Sequence, residues 1–276
     1  MEVTVCALGD LALDVVVRLE QRLEADADTP AAISIGGGGQ AANVSAWVAH
    51  LGGRARFVGK RARDDAGRLA VAELEQAGVD VRGPVVDGRT GVVVSLVGPA
   101  TDRTMASDRG VSPDLRDTEL EPGWLAGCDW LYVSGYSLFA PPIAGAALTA
   151  CRLARAAGAR VAVDLSASTL IQAHGPDRLR AQLRALEPDI LFANVAERDA
   201  IGGELPAPSW ILKRGAAGCT FRLAPDPPFG VPAAPAVEVV DTTGAGDALA
   251  AGFLVGGPQL AMTAAARCVE RPGARP

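Results

Sequence analysis

The residues best suited to chemistry in this chain are Asp241-Thr242-Thr243-Gly244-Ala245-Gly246-Asp247. A Gly-Ala-Gly backbone lets a ligand approach its N–H groups closely, because glycine carries no Cβ. The apolar run that follows predicts a helix starting here. A helix N-terminus offers an anion unpaired N–H donors and the positive end of the macrodipole, about half a charge. Asp247 beside that anion is a poor choice for stability. It is a good choice for a base that takes a proton from an attacking hydroxyl. Asp is also a common helix N-cap and Thr-Gly a common turn, so the same residues also read as structure alone.

Other segments carry the rest of a site. Gly36-Gly37-Gly38-Gly39-Gln40 precedes a helix, lacks the Gly-Lys-Ser/Thr ending of a P-loop and matches a dinucleotide fingerprint only weakly. Its glycines let a ligand lie against backbone, and Asn43 in the next turn offers both a donor and an acceptor, the mixture that hydroxyl-rich ligands need. A flexible hinge is the competing reading. Asp14, within Leu11–Val17, must find partners among apolar neighbours; two substrate hydroxyls or a wet strand face would serve. Asn194-x-x-Glu197 could cap a helix or organise water around Mg²⁺ near a triphosphate. Lys213-Arg214 precedes the Gly215-x-x-Gly218 turn and could touch phosphate oxygens or form a surface hairpin.

Positioning these residues requires a large folded core. The chain has 276 residues, 49% hydrophobic and 21% charged, enough for one large domain. A net charge of −6 and a pI near 5.1 argue against nucleic acid or an anionic membrane as partner. Lys60 and Lys213 are the only lysines among the cationic residues, which draws attention to Lys213. Five scattered cysteines without C-x-x-C spacing predict buried thiols in a reducing cytosol, and the presence of only two histidines argues against a His-based metal site. The N-terminal segment Val3–Gly9 predicts a strand rather than a signal peptide, so a cytoplasmic location is expected. Ala248–Ala266 is free of charge, but Gly256-Gly257-Pro258 divides it, predicting two core helices rather than a membrane span.

From about residue 128 the pattern alternates strand and helix. Strands are predicted at Trp130–Ser134, Arg160–Leu165, Asp189–Ala193 and Trp210–Lys213, with helices at Pro142–Ala157, Asp177–Leu186 and Ala196–Ile201. This grammar gives a mostly parallel sheet with helices on both faces, whose ligands gather beyond the strand carboxyl ends. The N-terminal third predicts helices at Gln40–Leu51 and Ala66–Ala77. Its extra β segments, about 11–35 and 84–110, read as one small sheet inserted twice, a lid.

Together these motifs resemble the PfkB/ribokinase family of carbohydrate and nucleoside kinases. Gly38-Gly39-Gln40-Ala41-Ala42-Asn43 through Leu51-Gly52-Gly53 and the Asp241–Asp247 heptapeptide carry the likeness, with Asn194-x-x-Glu197 and Gly215-x-x-Gly218 in matching order. The resemblance spans residues 1–276 as a single ribokinase-like α/β domain with a small β lid. It implies Asp247 as catalytic base and Gly244, Ala245 and Gly246 as the anion hole. Asp14, Gly38, Gly39 and Asn43 would hold the sugar; Asn194, Glu197, Lys213, Gly215 and Gly218 would serve the nucleotide. Glu197 would act on Mg²⁺ through water, and Asp241 with the Thr243 carbonyl would bind a monovalent cation such as K⁺. Carbonyls near Cys268, Arg271 and Gly273 would complete that cation site.

The implied function is transfer of the ATP γ-phosphoryl group to a hydroxyl of a small sugar-like substrate. The alternatives are a nucleoside kinase of adenosine or pseudouridine type and a non-catalytic sugar or nucleotide sensor. Unpaired strand edges of the lid suggest a homodimer.

Overall fold

The computed structural model describes residues 2–98, 103–233 and 238–276. The N-terminal part contains β1 (Thr4–Leu8), β2 (Ala12–Leu19), β3 (Ala31–Gly38), α1 (Gln40–His50), β4 (Arg54–Val58) and β5 (Arg61–Ala62). Next come α2 (Asp65–Gln76), β6 (Asp80–Arg82), β7 (Val85–Val86), β8 (Thr90–Val97) and β9 (Arg103–Gly110). The alternating part holds β10 (Trp130–Ser134), α3 (Ile143–Ala156), β11 (Arg160–Asp164), α4 (Ser168–His174), α5 (Pro176–Leu186) and β12 (Ile190–Asn194). It closes with α6 (Val195–Ala200), β13 (Ser209–Lys213), β14 (Cys219–Arg222), β15 (Phe229–Val231) and α7 (Ala245–Val269).

Among the described residues the larger sheet has nine strands in the order β15-β14-β13-β12-β11-β10-β1-β4-β6. Pairing is parallel from β6 through β13 and antiparallel for β14 and β15. Strands covered on both faces must be apolar on both, which explains near-continuous runs such as Val5–Leu8 and Leu131–Val133. Alternate residues feed two cores. Val5, Ala7, Tyr132, Ala162 and Phe192 join α1 and α7 on one side. Cys6, Leu8, Leu131, Val133 and Val163 join α3 and α5 on the other. All five cysteines are buried and free. Strands β4 and β6 were not anticipated: Arg54 and Arg56 alternate with buried Ala55 and Phe57, a five-residue pattern hidden behind Gly52-Gly53.

Four strands form a second sheet in the order β3-β2-β8-β9. Its strands come from the two segments inserted into the alternation, and Asp14 lies opposite Gly36. Gly36, Gly37 and Gly38 belong to β3, so most of the glycine run is paired strand rather than loop. Val85-Val86 pairs instead with Arg61-Ala62 in a separate ribbon. Residues 99–102 of the second inserted segment lie outside the described residues.

Local chemistry sets the helix ends that matter here. Gly39, at φ 93°, ends β3 and starts α1, and a Cβ there would overlap the Asp10 carbonyl. Asn194 and Glu197 form a reciprocal capping box on α6. Gly244, at φ 78°, starts α7. That helix breaks at Gly256 and Gly257, ahead of Pro258. Its halves fold back so closely that a Cβ on Gly252 would lie 2.7 Å from the Leu260 carbonyl. Helix α7 has the length and composition to cross a membrane, but it packs on α1 in the core and is broken midway.

Candidate active site

Asp247 stands in the first turn of α7, within electrostatic reach of Asp164 and Lys213, the last residues of β11 and β13. The helix ladder begins with Ala248 N donating to Gly244 O at 2.9 Å, and Ala245 N makes only a long 3.4 Å bond back to the Thr242 carbonyl, so the helix start can still present N–H groups to an outside acceptor. Asn43 Nδ2 donates to Asp247 Oδ2 at 3.0 Å, across 204 residues of sequence. Burial pushes the Asp247 carboxyl up to about 7; the Asn43 hydrogen bond opposes this, Asp164 adds to it, and Lys213 opposes it. A carboxylate poised there can accept a proton near neutral pH.

On one side lies the hydroxyl-binding set. Asp14 projects from β2 against the strand end of the glycine run: a Cβ on Gly38 would overlap the Asp14 carboxyl, so any larger residue there would displace that side chain. Burial raises Asp14 to about 6, with Arg275 pulling down and Glu73 pushing up. Gly39 is the helix-starting residue of α1, and Asn43 lies one turn further on. The structure therefore brings Asp14, Gly38, Gly39 and Asn43 to one side of Asp247.

On the other side a cavity of about 530 Å³ is lined by Lys213, Gly215, Gly218, Thr242, Gly246 and apolar residues of α7 including Leu249 and Met262. An apolar chamber with glycine backbone and one ammonium at its rim suits a nucleotide base and its phosphates. Lys213 Nζ donates to Asp164 Oδ2 at 2.7 Å, and Asp164 is 0% exposed. Burial alone would lower the Lys213 pKa, but Asp164 and then Glu197 overcome it and hold the amine charged. A Cβ on Gly246 would sit 3.5 Å from Lys213 Nζ, which places that ammonium beside the Gly244–Gly246 turn. Lys60, by contrast, fastens Glu119 at 2.7 Å away from this cluster.

Asn194 and Glu197 are largely committed to each other. Glu197, 2% exposed, accepts from Asn194 N at 2.8 Å and Nδ2 at 2.7 Å, while Asn194 Oδ1 accepts from Glu197 N at 2.8 Å. Among the described residues no group of three His, Cys, Asp or Glu side chains forms a direct metal cage. The donor chemistry fits Mg²⁺ held by phosphates and by its own waters: Asp164 and Glu197 offer carboxylate oxygens, and the buried Tyr132 hydroxyl has no partner among the described residues.

The monovalent-cation set fits less well. Asp241 Oδ1 accepts from Thr243 N at 2.9 Å and Oγ1 at 2.6 Å, and Oδ2 accepts from Gly273 N at 3.0 Å. Arg18 Nη2 lies 3.5 Å from the same carboxylate, and Cys268 Sγ donates to the Thr243 carbonyl at 3.3 Å. Gly273 contributes its N–H to Asp241, and the Cys268 carbonyl accepts from Arg271 N at 3.4 Å. Arg18 supplies positive charge beside Asp241.

Sequence reasoning missed three groups. Asp164 ends β11 as a charged residue on a buried strand, a signal available from the strand-end rule. Arg275 meets Asn43 across 232 residues and left no local trace. Arg109 of β9 forms a two-point ion pair with Asp10 at 2.6 and 2.8 Å, tying the smaller sheet to the larger one beside the site.

A base at a glycine-turn helix start, between hydroxyl-binding groups and a nucleotide-sized cavity on this α/β frame, defines a ribokinase-like phosphotransferase. The chain belongs to the pfkB family of carbohydrate kinases, whose model matches residues 3–268. It is 31% identical over 265 residues to the ATP-dependent ribose-1-phosphate kinase of Halopiger xanaduensis, covering 91% of this chain and 84% of that one. It is 32% identical over 275 residues to the fructokinase of Salmonella typhimurium, covering 92% and 84%. The solved adenosine kinase from Sinorhizobium meliloti superposes with a TM-score of 0.87 at 26% identity, covering 100% of this chain and 96% of the other.

Proposed function

We propose that this protein transfers the γ-phosphoryl group of ATP to a hydroxyl of a small sugar or sugar derivative. The observation that carries this reading is the place of Asp247, bonded to Asn43 on the acceptor side and adjoining the Gly244–Gly246 turn on the nucleotide side. Asp14, Gly38, Gly39 and Asn43 orient the acceptor. Its hydroxyl oxygen bonds to the γ-phosphorus, the bond to the β–γ bridging oxygen breaks, and ADP leaves with that electron pair. The hydroxyl proton passes to Asp247. N–H groups of Gly244, Ala245 and Gly246 donate hydrogen bonds to the transferred oxygens as charge gathers on them, and Lys213 adds a fixed positive charge. Gly215 and Gly218 let the nucleotide lie against backbone.

Asn194 and Glu197, with Asp164, would hold the water shell of Mg²⁺, which when bound neutralises phosphate charge. A monovalent cation at Asp241 and Thr243 is not required by this scheme, because Arg18 already balances Asp241. The smaller sheet, from segments within 11–35 and 84–110, acts as a lid on the single domain and excludes water that would otherwise hydrolyse ATP.

A panel of sugars and nucleosides with ATP and Mg²⁺, read by ADP release, tests the proposal. Sugar-dependent ADP with none from nucleosides supports it. Nucleoside-only turnover would identify a nucleoside kinase, a reading favoured by the adenosine kinase likeness. No acceptor-dependent signal would point to a sensor. We place the protein in the cytoplasm and propose a homodimer formed through the lid. Its support is the outer face of the small sheet, where Ile33 and Ile35 are 63% and 60% exposed beside part-buried Val15 and Val17. A monomeric mass near 28.2 kDa by light scattering would reject the dimer.

A further inference from the structure

Arg275 enters the acceptor side of the site from the C-terminal segment, whose backbone is firmly held. Trp47 Nε1 donates to the Ala274 carbonyl at 2.9 Å, and Gly273 N donates to Asp241 at 3.0 Å. Ala274 packs so tightly on the glycine turn that a Cβ on Gly244 would lie 2.5 Å from its Cα. The Arg275 side chain is 12% exposed. Its Nη1 donates to Glu73 Oε2 at 3.1 Å, Nη2 to the Gly38 carbonyl at 3.2 Å, and Nε to Asn43 Oδ1 at 3.3 Å.

The last of these bonds bears on the chemistry. An Asn side chain has one accepting end and one donating end. With Oδ1 held by a guanidinium, Asn43 must turn Nδ2 the other way, and that atom meets Asp247 Oδ2 at 3.0 Å. A flipped amide would set its oxygen against a carboxylate and its NH₂ against a cation, losing both bonds. We propose that Arg275 is a positioning residue: by fixing the orientation of the Asn43 amide it holds one oxygen of Asp247, leaving the other to take the acceptor's proton. This rests on the reading of Asp247 as the base. Glu73 keeps the guanidinium in place and also accepts from Gly37 N at 2.7 Å, so the same clamp spans β3, α1, α2 and the C-terminal segment.

The test is a double-mutant cycle with Arg275→Met and Asn43→Ala, assayed with Mg·ATP and whichever of D-fructose, D-ribose or adenosine gives the highest turnover. Arg275→Met should lower kcat about 10- to 100-fold, the scale of a misplaced catalytic group, with KM for ATP unchanged. In the Asn43→Ala background it should cause no further loss of kcat. Equal losses in both backgrounds, or a change confined to KM, would overturn the proposal and leave Arg275 a structural clamp. If the Met variant does not fold, Arg275→Lys keeps a cation beside Glu73 but cannot fork to Asn43; wild-type kcat in that variant would overturn the proposal equally. Asp247→Asn separates the two levels of inference. Retained turnover there removes the base itself, whereas lost turnover with an additive Arg275 effect removes only the relay.

Discussion

Replacing Asp247 by Asn should cost activity and gain stability, in a pH-dependent way. The carboxyl has moved from an ordinary 3.8 to about 7, chiefly through burial. A raised acid binds its proton more tightly folded than unfolded, so its contribution to stability is full below pH 3.8 and is lost as pH climbs through about 7. At about 1.4 kcal/mol per pH unit, ionising Asp247 in place costs at most about 4 kcal/mol. The side chain is partly exposed, and the Lys213 attraction is forfeited with the charge, so about half of that should be recovered by Asn. A gain of about 2 kcal/mol corresponds to a melting point about 4 °C higher. The gap between variant and wild type should be near zero at pH 4, widen with pH and level off above about 7. Scanning fluorimetry across this range measures it, and coupled ADP release should show kcat reduced about 10²- to 10⁴-fold. A gap that is equal at pH 5 and pH 8, or a variant less stable at pH 8, would refute the reasoning that burial poises this carboxyl.

Lys213→Met should destabilise the fold by about 3–5 kcal/mol, because Asp164 is left buried without its cation, and adding Asp164→Asn should restore most of the melting temperature. Gly38→Ala should raise KM for the acceptor and leave KM for ATP unchanged in steady-state assays, since its Cβ overlaps the Asp14 carboxyl. Exchanging KCl for NaCl should leave kcat unchanged, with Arg18 balancing Asp241; a requirement for K⁺ would contradict that assignment.

Much of the site was legible because its parts are contiguous in sequence. A turn that needs glycine at φ 78° and a helix beginning at once behind it compress the anion-binding element into a few residues. The Gly38–Asn43 segment is similarly local, although Gly38 proved to be the last residue of a strand and only Gly39 the helix start. Asn194 and Glu197 announced a helix start, and the structure adds that they spend their hydrogen bonds on each other. The alternation from residue 128 onward followed from strands apolar on both faces, whereas β4 and β6 are too short and too charged to stand out.

By itself the sequence determined the α/β frame, the anion-binding turn and the carboxylate in it, because backbone conformation and hydrophobic period are local properties. Tertiary structure decided what that carboxylate can do. Only folding brings Asn43, Asp164 and Lys213 around Asp247, carries Arg275 across 232 residues to Asn43, and sets Arg18 against Asp241. Proton affinity depends on burial and on charges arranged through space, and no spacing along the chain records either.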